Sequence, residues 1–171
     1  MERKFHYKFS SQTNNLIFLL VLSLSCTLIN SSLQHIHFAV NADEGYYFRC
    51  ATFISQNGIS GFPELFKVYF ANPQHQITQN PLRVGFIILA SIWLKIFGHS
   101  FLNLALLSLF SYCLFLTIAF SFARKYFEEQ IALLFIILLA FSPLQMAMAR
   151  RALIDSTVNL FIFSAIWLFW E

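Results

Sequence analysis

Between Lys8 and Asp43 the chain carries no lysine, arginine, aspartate or glutamate, and from Leu16 to Leu33 most of its residues are apolar. About 20 apolar residues suffice to carry a helix across the ~30 Å hydrocarbon core of a bilayer. A backbone in that environment must satisfy its own N–H and C=O groups, so a run of this length is read as a helix. Three more apolar runs follow along the chain. The composition agrees: 58% of the 171 residues are hydrophobic and 11% are charged, against roughly 45–50% and 25% in average soluble domains. Disordered, collagen-like and soluble nucleic-acid-binding classes are excluded, and an all-α, multi-span integral membrane protein remains. The net charge of +3, from 11 basic and 8 acidic residues, is scattered and leaves no footprint for nucleic acid. Cys26, Cys50 and Cys113 are an odd number, two of them inside apolar runs, with neither a disulfide framework nor metal-ligand spacing. No metal and no cofactor are expected.

Four spans are expected, over residues 16–33, 101–123, 130–149 and 152–170, each near the length a crossing helix needs. Arg3, Lys4 and Lys8 ahead of the first run have the charge pattern of a signal peptide. No small-x-small cleavage site follows, and Ser23-Leu24-Ser25-Cys26 is a poor lipobox, so the run is expected to stay as an uncleaved helix behind a cytoplasmic tail at 1–15. After Asp155 only fifteen uncharged residues, 156–170, precede Glu171, from which a fragment of a longer protein is expected.

Residues 32–99 form the long loop between the first two runs. A short helix is expected after Asn41-Ala42-Asp43-Glu44, with Asn41 or Asp43 as its cap and Asn57-Gly58 as its stop. Gly58, Gly61, Pro63, Asn72-Pro73 and Asn80-Pro81 then predict irregular structure. Residues 81–98 are apolar, but Arg83 and Lys95 bracket only eleven uncharged residues, about 17 Å of helix, which is short for a crossing unless both cations snorkel. Sidedness favours an interfacial helix. The N-terminal cations then share the cytoplasmic side with Arg124 and Lys125, as the positive-inside rule asks, while Asp43, Glu44, Arg150, Arg151 and Asp155 fall together on the outer side. Both ends of the chain are then cytoplasmic.

Two clusters put charge where a membrane makes it expensive: Asp43-Glu44 after the first span, and Arg150-Arg151-Ala152-Leu153-Ile154-Asp155 at the junction of the third and fourth. Headgroup-level flanks, and for Asp43 a helix cap, are the structural alternatives. In order along the chain come a first helix, an outer-loop Asp-Glu before a tyrosine-bearing helix, NPLRVGFIILASIWLKIFGHS, and ARKYFEEQIALLFIILLAFSPLQMAMARRALIDSTVNLFIFSAIWLF with its Ser-Pro kink and Arg…Leu-x-Asp-Ser. From about Asn41 to Trp170 this order resembles the family 39 glycosyltransferases, GT-C membrane enzymes that include protein O-mannosyltransferases and the aminoarabinose transferase of lipid A. Two departures stand out: Gln79-Asn80-Pro81 replaces the usual His-Pro-Pro, and Arg83 intrudes.

The resemblance implies a GT-C-like helical bundle, of which this chain holds an N-terminal portion. It also implies transfer of a sugar from a polyprenyl-phosphate donor to an acceptor on the outer or luminal face, in a bacterial plasma membrane rather than the endoplasmic reticulum. Asp43 would be the general base and Glu44 its partner. Arg150 or Arg151 would bind the departing phosphate through a two-donor fork, with Asp155 orienting the arginine or the acceptor. Adjacent helix positions point about 100° apart, so only one of the two arginines is expected to face that phosphate. A non-catalytic membrane subunit acting in a larger assembly, or a degraded gene product that keeps the helical scaffold, is the alternative; a small transporter is disfavoured because the charges sit at span ends. His35 and His37 are half a metal site at best, His99 reads as a turn residue, and Trp93, Trp167 and Trp170 as markers of headgroup depth.

Overall fold

The computed structural model describes residues 11–33, 43–71 and 81–171, and every regular element among them is helical. Asn41, His35, His37, Asn72-Pro73, Gln79 and Asn80 lie outside the described residues, as do Arg3, Lys4 and Lys8. The elements are α1 (Ser11–Leu33), α2 (Asp43–Asn57), a single 3-10 turn (Ile59–Gly61), α3 (Phe62–Ala71), α4 (Val84–Phe97), α5 (Phe101–Tyr126), α6 (Glu129–Ala140), α7 (Pro143–Ala149) and α8 (Asp155–Trp170).

By length and composition α1 and α5 can each cross a membrane. They pack antiparallel: Arg124 donates to Asn15 Oδ1 at 2.6 Å, Phe18 stacks on Phe120 with ring centroids 4.3 Å apart, and Cys26 meets Cys113 at 3.2 Å. The Leu33 end of α1 therefore lies at the same end of the bundle as the Phe101 end of α5. α8 runs parallel to α5. Ser108 donates to the Leu153 carbonyl at 2.8 Å, Ser111 bonds Thr157 at 3.0 Å, and Lys125 pairs with Glu171 at the far end. Hydroxyl contacts between helices serve well where no water competes for them.

The third expected span is broken. α6 and α7 meet at a 56° bend around Phe141-Ser142, with Pro143 opening the second piece. Proline withholds its N–H and clashes with the preceding turn, so a helix through 130–149 cannot run straight. The buried Tyr112 hydroxyl donates to the Ala140 carbonyl at 2.6 Å, satisfying an acceptor at the break. The fourth helix also starts later than expected, at Asp155 rather than near Ala152, leaving residues 150–154 as a turn.

In the long loop, α2 stops at Gly58, whose φ of 71° is the left-handed conformation that glycine accepts without strain. A Cβ on Gly61 would come within 2.9 Å of the Phe53 ring, so only glycine lets the 3-10 turn press against α2. The expectation of irregular structure beyond Gly58 is corrected by α3: Pro63 sits in its first turn, where a missing N–H costs nothing. α4 buries Ile87, Ala90 and Leu94 and packs chiefly on α2, with Ala51 and Ala90 fully buried in one core cluster that also holds Tyr47, Phe86 and Leu104. Ser100 caps α5 by accepting from Asn103 N–H at 3.1 Å, while the Asn103 amide donates to the Phe97 and Gly98 carbonyls that end α4. This double cap seats α4 against the entrance of α5.

The bundle geometry makes a topological prediction. Cysteine introduced at exposed Ser60 is expected to react with an impermeant maleimide from the outer side, and cysteine at exposed Gln130 from the cytoplasmic side. Labelling of both from one side would refute an interfacial α4.

Candidate functional site

The first turn of α2 starts with two carboxylates, favourable beside the positive end of the helix dipole. They face different surroundings. Glu44 is 1% exposed and forms an ion pair with the Nε of Arg151, which reaches in from the α7–α8 turn and stays 39% exposed. A carboxylate taken that far from water needs a charged partner, and this pair ties α2 to the turn between α7 and α8.

Asp43 is exposed. It lines a cleft of about 390 Å³ together with Tyr47, Arg83, Leu153, Ile154, Asp155 and Val158. Tyr47 follows Asp43 by four residues and so stands above it on the same face of α2. Its ring is buried edge-on against Phe86, at 5.1 Å between centroids, and Arg83 lies over it with the guanidinium carbon 5.6 Å from the ring centre. Arg83 immediately precedes α4, and Asp155 is the first residue of α8. Three chain segments thus meet at one cleft, bringing two carboxylates and one guanidinium together at the end of the bundle shared by Leu33 and Phe101. Among the described residues neither Asp43 nor Asp155 forms an ion pair.

The expected site residues are divided by this geometry. Asp43 and Asp155 share the cleft, and the buried Glu44 pairs with the partly exposed Arg151. Arg150 is elsewhere: it ends α7 and lines a separate, smaller cleft with Leu28, Ile29 and Ser32 of α1 and Pro143, Met146 and Ala147 of α7. The two arginines do diverge, but as cap and turn residues rather than as neighbours on one helix. Asp155 was expected to orient an arginine or the acceptor; among the described residues Arg151 pairs with Glu44, and Asp155 lines the cleft with Asp43 and Arg83. Arg83 is the residue that sequence reading passed over. Its signal was present, a cation two residues after Pro81 in an otherwise apolar stretch, but it read as a helix flank. His99 bonds the Ser55 hydroxyl at 2.7 Å. No group of three metal-ligating side chains occurs among the described residues.

The described residues thus form a helical membrane bundle with an open acid–guanidinium cleft at one end. The family model for dolichyl-phosphate-mannose-protein mannosyltransferase matches residues 80–171, more than half of the chain, and the chain belongs to that family. It is a membrane glycosyltransferase of the GT-C type, a class whose sugar donor is lipid-linked. No curated protein and no solved structure matches the chain. The matched region contains Arg83, Arg151 and Asp155, whereas Asp43 and Glu44 precede it.

Proposed function

We propose that the cleft transfers a sugar from a polyprenyl-phosphate donor to an acceptor hydroxyl at the outer membrane face. The observation that carries this reading is the placement of Asp43 and Arg83 on one open cleft. In the proposed reaction the acceptor oxygen attacks the anomeric carbon and the bond from that carbon to the phosphate oxygen breaks. The acceptor proton passes to the Asp43 carboxylate, and the polyprenyl phosphate departs with the bonding electron pair. A carboxylate within hydrogen-bond reach of the hydroxyl serves as base, and a planar guanidinium meets the charge that develops on the phosphate.

Arg83 takes the phosphate-binding role expected of Arg150 or Arg151, because Arg151 is committed to Glu44 and Arg150 lines another cleft. A cation–π contact with the Tyr47 ring, 5.6 Å from the guanidinium carbon to the ring centre, favours Arg83 at this position. Asp155, in the lining of the same cleft, is suited to orient the acceptor. Glu44 and Arg151 act as positioning residues that join α2 to the α7–α8 turn.

The test is sugar release from a polyprenyl-phosphate donor by membranes carrying the protein. Arg83→Gln is expected to raise KM for the donor about tenfold or more, the loss of one charge-assisted contact. Arg83→Lys is expected to fall between, since it keeps the charge and loses the fork. An unchanged donor KM in Arg83→Gln would remove Arg83 from the site, and no transfer by the wild-type protein would favour a non-catalytic subunit.

A further inference from the structure

Two of the three cysteines meet where α1 packs on α5. Cys26 and Cys113 stand 87 positions apart in the chain, yet their sulfurs lie 3.2 Å from each other, and both are partly exposed free thiols. The meeting belongs to a register rather than to a single close contact. Along α1 and back along α5, Asn15 meets Arg124, Phe18 stacks on Phe120 and Cys26 meets Cys113. Each advance on one helix is matched by a near-equal return on the other, as two antiparallel helices packed side by side require. Cys113 also packs against the core cluster that holds Phe18, Tyr112 and Leu116, so buried neighbours fix its position. Cys50 stands apart, in the cluster of Ile54, Phe62 and Ile87.

Two thiols so placed have a chemistry that neither has alone. A disulfide bond is about 2.05 Å long, so a further approach of about 1 Å between the sulfurs would form one. The pair also lines a cleft of about 350 Å³ with Trp93 and Phe97 of α4 and Leu109 and Phe110 of α5. No charged residue lines that cleft, and its one carboxamide, on Asn103, is already turned to the Phe97 and Gly98 carbonyls. A neutral, apolar reactant therefore enters at lower cost than a charged one. Trp93 and Phe110, with ring centroids 5.4 Å apart, offer an aromatic surface to a flat ring. Both cysteines sit inside helices able to cross a membrane, within reach of lipid-soluble oxidants.

We propose that Cys26 and Cys113 are a redox-active dithiol, oxidised within the membrane by a lipid-soluble quinone to a disulfide that joins α1 to α5. Two S–H bonds break and one S–S bond forms; the two electrons and two protons pass to the quinone, which leaves as the quinol. The new link closes a loop that contains α2, α3 and α4. Asp43 and Arg83 both lie inside that loop, so the staple ties down the frame that carries their cleft. The site is separate from that cleft and does not depend on which sugar or acceptor is used.

The test uses the full chain in phosphatidylcholine vesicles, first reduced with dithiothreitol and washed. Decylubiquinone, a fully substituted quinone that does not add to thiols, is then supplied from the lipid phase. After an acid quench the chain is denatured, its remaining thiols are blocked with N-ethylmaleimide, and its peptides are measured by mass spectrometry. Most chains are expected to carry one maleimide, on Cys50, and a peptide pair joined through Cys26 and Cys113; dithiothreitol should restore all three thiols. Oxidised glutathione, charged and water-borne, is expected to leave the three thiols free. Cys26→Ser and Cys113→Ser should each keep two reactive thiols after quinone treatment, whereas Cys50→Ser should form the same link as the unaltered chain. Three maleimides on the quinone-treated chain would overturn the proposal, as would a link through Cys50 or between two chains. Equal linkage by oxidised glutathione would overturn it as well, since the thiols would then answer to water rather than to the lipid phase.

Discussion

Asp43→Asn is expected to lower sugar transfer by about 10²-fold or more, in the range for loss of a general base, with little change in the amount of folded protein in the membrane. Asparagine keeps the size of the side chain and an oxygen able to cap the first turn of α2, so a structural role would survive the substitution. Asp43 is exposed and forms no ion pair among the described residues, so its removal strands no buried partner. The discriminating measurement is the rate of transfer at saturating donor against the yield of monodisperse protein from solubilised membranes. Full transfer by Asp43→Asn would reduce Asp43 to a helix-start residue and leave the cleft without its proposed base.

Arg151→Met is expected to show the converse pattern, a loss of stability. It takes the Arg151 guanidinium away from the Glu44 carboxylate, which is 1% exposed. Breaking one side of a buried pair costs about 3–5 kcal/mol, and the partial exposure of Arg151 places the expected loss near the lower figure. Glu44→Gln in the same chain removes the buried charge and is expected to recover much of that loss, the non-additivity that marks a direct pair. Arg150→Met is the internal control: Arg150 is exposed and lines a different cleft, so its stability effect should stay within about 0.5 kcal/mol. Denaturant-induced unfolding in a fixed detergent measures all four proteins. Equal losses for Arg150→Met and Arg151→Met, with no recovery in the double variant, would dissolve the pair as a structural tie.

Much of the bundle is legible in hydropathy because the bilayer acts locally. α1 and α5 follow from long uncharged runs, and the break before Pro143 follows from a missing N–H. The stop of α2 at Gly58 follows from a left-handed turn that glycine accepts. α3 was less legible, since Gly61, Pro63 and the Asn72-Pro73 pair read as loop punctuation. Its ten residues form a helix because proline is tolerated in a first turn and because Phe62, Leu65 and Phe66 find the apolar side of α2 and α4. The late start of α8 was hidden for a similar reason. Residues 152–154 are apolar enough to continue a helix, yet they form a turn in which the Leu153 carbonyl accepts from Ser108 and Arg151 turns toward Glu44.

What the sequence determined by itself is the membrane class, the long helices and the family likeness, because hydropathy and turn chemistry act over a few residues. Which of the charges meet was decided only by the tertiary structure. Arg83 stands 40 positions from Asp43, and it reaches the same cleft because α4 packs on α2 through two buried alanines and is capped against α5 by Asn103. Neighbours in the chain were parted by the same packing: Arg150 at the end of α7 lines a cleft with α1, and Arg151 in the turn is drawn to a buried carboxylate. The reason is physical. A local pattern states that a charge needs water or a partner, and only the packing of segments remote in sequence supplies the partner.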